Sequence, residues 1–89
     1  MSVESDVFIA TDFIAAEAEV EFSLFGGGTV DDAFWAISIV PQGTNNEVEL
    51  TRLRTVSDAG GTRTIFFTVR NNTGNDTNFT RSAVRTPNF

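Results

Sequence analysis

Ala16-Glu17-Ala18-Glu19-Val20-Glu21-Phe22-Ser23-Leu24-Phe25 alternates along its whole length. Ala16, Ala18, Val20, Phe22 and Leu24 fall on one side, and Glu17, Glu19, Glu21, Ser23 and Phe25 on the other. A period of two belongs to a strand with one dry and one acidic, wet face. Wound as a helix, the same residues would scatter their apolar positions all round the axis. The stretch is therefore read as β.

The segments around it follow the same period. Val7, Ile9, Thr11 and Phe13 alternate with Phe8, Ala10 and Asp12, predicting a first strand near residues 5–13. Over residues 33–40, Trp35, Ile37 and Ile39 form one face, and Phe34, Ala36 and Ser38 the other. Both faces are fairly apolar, so this strand is expected to be central or covered on both sides. Pro41, with no N–H to donate, ends it. Over residues 47–56, Val48 and Leu50 are in phase and Leu53 is not. A β-bulge near Thr51–Arg52 would repair the phase. Residues 62–71 set Ile65, Phe67 and Val69 against Thr64, Phe66, Thr68 and Arg70. Residues 77–86 are anchored by Phe79 and Val84, with Arg81 and Arg85 on one side. Two Arg and Pro87 suit an edge strand, where charge discourages further pairing.

The connections are turn chemistry: Gly26-Gly27-Gly28 to Asp32, Pro41 to Asn46, Ser57 to Gly61, and Asn71 to Asp76. Gly and Asn supply positive φ there, and Asn and Asp bond their own backbone. The reading is one all-β domain over residues 1–89, a small antiparallel β-sandwich of about six to seven strands. Within it, the run from Thr64 to Thr80 (Thr64-Ile-Phe-Phe-Thr-Val-Arg-Asn-Asn-Thr-Gly-Asn-Asp-Thr-Asn-Phe-Thr80) resembles the hairpin of immunoglobulin-like modules. With Trp35 on the third strand, the resemblance implies an Ig-like general layout. The Cys pair and tyrosine corner of antibody domains are absent.

Missing residue types narrow the chemistry. The chain of 89 residues has no Cys, His, Lys or Tyr. Thiol nucleophiles, Ser-His triads, zinc and haem ligation, Schiff bases and Walker-type phosphate loops are thereby excluded. Carboxylates are the titratable catalysts left. Asp31-Asp32 beside the glycine loop would need a cleft and one raised pKa to act as a glycosidase pair. A domain of this size has little room for that cleft, so no catalytic, metal or cofactor residue is assigned. Gly26-Gly27-Gly28 lacks the helix and the Lys of a phosphate loop and reads as a linker. The Asn71–Asn78 loop carries one acid, Asp76, too little charge for a tight calcium site. An adhesin-like or carbohydrate-binding module working through these two loops is the alternative function.

Charge is unevenly placed. Residues 1–50 hold ten acids and no base, and residues 51–89 hold six Arg, with Asp58 and Asp76. That is −10 against +4, summing to the net charge of −6. Either strands from the two halves pair and interleave their charges, or opposed faces of neighbouring copies meet. The acidic balance disfavours nucleic acid as a partner. No apolar run approaches the roughly 20 residues that span a bilayer. The start of the chain has neither the basic nor the apolar region of a signal peptide, so synthesis in the cytoplasm without export is expected. Use of Arg in place of Lys resembles the composition of proteins from salt-loving or GC-rich microbes.

Nine Phe exceed what one small core can bury. Phe25, Phe34, Phe66 and Phe89 fall off the main alternation or at an end, which suggests an interaction patch. The expectation is a non-enzymatic structural subunit that docks on itself or on other assembly proteins, a homo-oligomer. Its sharpest form is a small virion protein, a capsid decoration, cement or tail component. The expected interface residues are Glu17, Glu19, Glu21, Phe25, Phe66, Arg81, Arg85 and Phe89. The terminal Thr86-Pro87-Asn88-Phe89 is extended by its proline, and both ends are expected to be held by neighbours.

Overall fold

The computed structural model describes residues 6–25, 33–61 and 63–87. Six strands occupy them: β1 (Asp6–Ile14), β2 (Glu19–Phe25), β3 (Ala33–Pro41), β4 (Val48–Ser57), β5 (Arg63–Asn71) and β6 (Thr77–Pro87). They form two three-stranded antiparallel sheets. Sheet A has the order β1-β6-β3 and sheet B the order β2-β5-β4. The described residues contain no helix.

The alternation that defines β2 places its residues as its sequence implies. Val20, Phe22 and Leu24 pair with Val69, Phe67 and Ile65 of β5, on the side facing sheet A. Glu19 and Glu21 pair with Arg70 and Thr68 on the other side. The strand starts at Glu19, because Ala15–Ala18 closes a turn with Ala18 N–H donating to the Ala15 carbonyl at 3.1 Å. In β4 the register shifts between Leu50 and Arg52. Leu50 opposes Val69 and Leu53 opposes Phe67, so the bulge brings both leucines to the inner face.

Buried Ile14, Phe67, Val69 and Phe79 form the core, drawn from β1 and β6 of sheet A and from β5 of sheet B. Phe22 ties the sheets together. Its ring stacks on Phe67 at 5.5 Å and meets Phe79 edge-on at 5.4 Å. Such pairs contribute roughly 0.5–1.5 kcal/mol beyond the area they bury.

Two expectations about strand position are corrected. β6 is the centre of sheet A and hydrogen-bonds to β1 and β3. Its Arg81 and Arg85 do not guard an edge. They lie on the inner face, half-buried, with Arg81 Nε 3.2 Å from Asp12 Oδ2. β3 in turn is an edge strand of sheet A. Its Trp35, Ile37 and Ile39 face inward, while Ala36, Ser38 and Val40 are exposed.

Candidate functional site

Outward-facing positions of the two sheets differ in kind. On sheet B they carry charge arranged in cross-strand pairs. Arg54 of β4 reaches across β5 to Glu21 of β2 at 3.2 Å, and its guanidinium lies 4.1 Å above the Phe66 ring. Arg70 of β5 stands 3.8 Å from Glu19. Asn72 Nδ2 donates to Glu47 at 2.8 Å and to Glu49 at 2.9 Å. The acidic half of the chain and the basic half thus meet inside one sheet, because β2 and β4 flank β5.

On sheet A the inside and outside are exchanged in character. The inner face holds Asp12, Arg81 and Arg85, with Arg81 5.5 Å from the centre of the Phe67 ring. Among the described residues the outer face is uncharged. In register across the sheet, Ile9 lies beside Ser82 and Ser38, and Thr11 beside Thr80 and Val40. Phe13 lies beside Asn78 at one end, and Val84 beside Ala36 at the other. Ile9 is 70% exposed, Phe13 60% and Val40 61%. These values exceed what scattered surface residues need, and the three share one face.

The expected interface residues separate accordingly. Glu19, Glu21 and Phe66 come together on the outer face of sheet B. Glu17 sits in the β1–β2 turn at φ 58°. Arg81 and Arg85 lie on the inner face of the other sheet. Phe25 is the last residue of β2, and Phe89 lies outside the described residues, as do Gly26-Gly27-Gly28 and Asp31-Asp32. The expectation that both ends are held falls largely there too, on residues 1–5 and 88–89. Ile9, Phe13 and Val40 were not picked out from the sequence. Their signal was present in the second apolar phase of β1 and β3, where either phase could have been the buried one.

Asn71 and Asp76 of the Asn71–Asn78 loop spend their polar groups on the fold. Asn71 is fully buried, and its Nδ2 donates to the carbonyls of Ile14, Ala15 and Asn75 at 3.3, 3.2 and 2.8 Å. Its Oδ1 accepts from the Thr73 N–H at 3.0 Å and from the Thr73 hydroxyl. Asp76 Oδ1 accepts the Ala16 N–H at 2.9 Å. These groups face the β1–β2 turn. A cavity of about 70 Å³ opens between the sheets, lined in part by Phe8, Leu24, Ile37, Phe67 and Arg81. Pockets that hold small molecules run to roughly 300–1,000 Å³, and this one is far smaller. Among the described residues no group of three or more acids is placed to hold a metal ion.

No protein-family model, no curated protein and no solved structure matches the chain.

Proposed function

We propose that this chain is a non-enzymatic structural subunit that works by docking, in its sharpest form a small virion protein such as a decoration, cement or tail component. The observation that carries the reading is the outer face of sheet A, where Ile9, Phe13 and Val40 stand exposed without a charge among them. Surfaces built to stay solvated carry charge, and this chain places its charge elsewhere. A face of this kind is the usual mark of an interaction site.

We further propose that the two sheets form an Ig-like sandwich. Its support is the strand order. Constant-type Ig domains run A-B-E-D in one sheet and C-F-G in the other. Here β2-β5-β4 follows B-E-D and β3-β6 follows C-F, with β1 standing in the place of G.

Native mass spectrometry and sedimentation of the full chain, alone and in extracts of the particle or assembly that contains it, test the functional reading. A stoichiometric place in a defined assembly is expected. A chain that stays monomeric at every concentration and co-purifies with no assembly refutes it.

A further inference from the structure

We infer that the outer face of sheet A is a two-fold interface with a second copy of the same chain, sheet against sheet. The inference rests on the assembly reading above and names its partner.

Charge singles out this face. The net charge of −6 makes two copies repel, and the outer face of sheet B carries Glu19, Glu21 and Glu49. Arg54 and Arg70 pair with Glu21 and Glu19 within that same face, and presenting it to its own copy would strip water from both ion pairs. The outer face of sheet A brings no like charge against like, and it leaves the charged sheets on the far sides of the pair. A self-complementary patch is what a two-fold interface requires.

Shape agrees with charge. The central strand offers small side chains, Ser82 and Thr80, while β1 offers Ile9 and β3 offers Val40. A two-fold axis lying along β6 sets β1 of each copy over β3 of the other. Ile9 then lies over the small Ser38, and Val40 over Thr11, so large meets small on both flanks.

Area sets the strength. Strands about 4.8 Å apart and rising about 3.3 Å per residue make each face roughly 15 by 30 Å. Two such faces bury on the order of 900 Å², at the low end of interface sizes. The pair is therefore a weak dimer, suited to reinforcement within a larger assembly.

The test is sedimentation of the full chain over a concentration series, with Ile9→Glu and Val40→Glu as interface variants. Arg52→Ala is the control, since it makes the same change of one unit of charge on the exposed face of sheet B. Wild type and Arg52→Ala should dimerise alike. Ile9→Glu and Val40→Glu should weaken dimerisation at least tenfold, with the far-UV spectrum and melting curve of a folded chain.

A second measurement does not depend on those variants folding. Facing sheets stand about 10 Å apart, beyond the reach of a disulfide, so a short bis-maleimide is the probe. The chain has no cysteine. Ser82→Cys should cross-link to dimer in high yield, and Thr51→Cys on sheet B should not. Oligomers indifferent to Ile9→Glu and Val40→Glu, or equal cross-linking at both cysteines, would overturn the two-fold face and leave the assembly reading standing. A wild type monomeric to about 1 mM overturns the inference, and together with the absence of any parent assembly it removes the functional reading too.

Discussion

Asn71 at the end of β5 holds Ile14 at the end of β1, its buried amide nitrogen donating to the Ile14 carbonyl at 3.3 Å. One side chain thereby ties sheet B to sheet A and anchors the β1–β2 turn through Ala15 as well. Replacing it by Ala leaves three carbonyls and the Thr73 amide short of a partner. Unsatisfied buried groups cost roughly 1–3 kcal/mol each, and partial access of water reduces the sum. Asn71→Ala should destabilise by about 3 kcal/mol, lowering Tm by about 10–20 °C in a domain of this size. Asn71→Asp should be worse, since it turns a carboxylate toward carbonyl oxygens. Thermal melts of both variants check this, and losses under about 1 kcal/mol would show that the amide is dispensable.

The turn that Asn71 anchors contains its own strain. Glu17 sits at φ 58°, a left-handed conformation that an L-residue with a long side chain adopts at a cost of about 1–2 kcal/mol. Its N–H donates to the Thr73 carbonyl at 3.1 Å, a bond that glycine keeps. Glycine loses about 0.5–1 kcal/mol more backbone entropy on folding. The balance predicts that Glu17→Gly raises stability by about 0.5–1 kcal/mol, read as a higher urea midpoint with an unchanged m-value. A lower midpoint would mean that the Glu17 side chain itself contributes to the fold.

Glu21 and Arg54 form an exposed pair, and such pairs couple by about 0.2–1 kcal/mol. A double-mutant cycle of Glu21→Ala and Arg54→Ala should give a coupling in that range, smaller at about 1 M salt than at about 0.01 M. Arg54→Ala alone should cost more than Glu21→Ala alone, because it also uncovers Phe66. Equal single-variant losses would refute the contribution of the ring.

Trp35 presents a different case. Its ring stacks on Phe8 at 5.8 Å, yet its Nε1 is buried with no hydrogen-bond partner. Trp35→Phe keeps a ring in place and removes the orphan donor. The change should stay within about 1 kcal/mol, whereas Trp35→Ala should lose about 3–5 kcal/mol. Chemical denaturation followed by circular dichroism checks both. A loss of several kcal/mol in Trp35→Phe would imply that the indole N–H is satisfied in solution.

Much of the fold was legible in local pattern. The alternation of Val20, Phe22 and Leu24 against Glu19 and Glu21 named the dry face of β2 correctly, and the phase slip at Leu53 located the bulge at Thr51. Sheet order was not legible, because a pattern of period two reports faces and not neighbours. Arg81 and Arg85 suggested an edge, but partly buried arginines can sit inside a sheet when a carboxylate such as Asp12 lies opposite and their stems pack on apolar groups. The two apolar phases of β3 suggested cover on both sides. An edge strand with Val40 exposed has the same sequence, and only the register with β6 distinguishes them. The uncharged outer face of sheet A was invisible for that reason: Ile9, Ser82 and Ser38 are far apart in the chain and become neighbours only through pairing.

The central place of β6 has a consequence for biogenesis. Asp6 pairs with Arg85, and both strands flanking β6 in sheet A depend on it for their ladder bonds. On the ribosome, β1 and β3 emerge early and wait unpaired until residues 77–87 have cleared the exit tunnel. At about 5–20 residues per second that delay lasts several seconds. Sheet B uses no residue beyond Asn71 and so needs less of the chain than sheet A does. The late closing step joins residues from opposite ends of the sequence, which makes folding slow relative to helical domains of equal length. Ile14, Ile37 and Ile39, which end on the inner face, stay uncovered throughout this interval, so yield in the cell should depend on translation speed and chaperone supply.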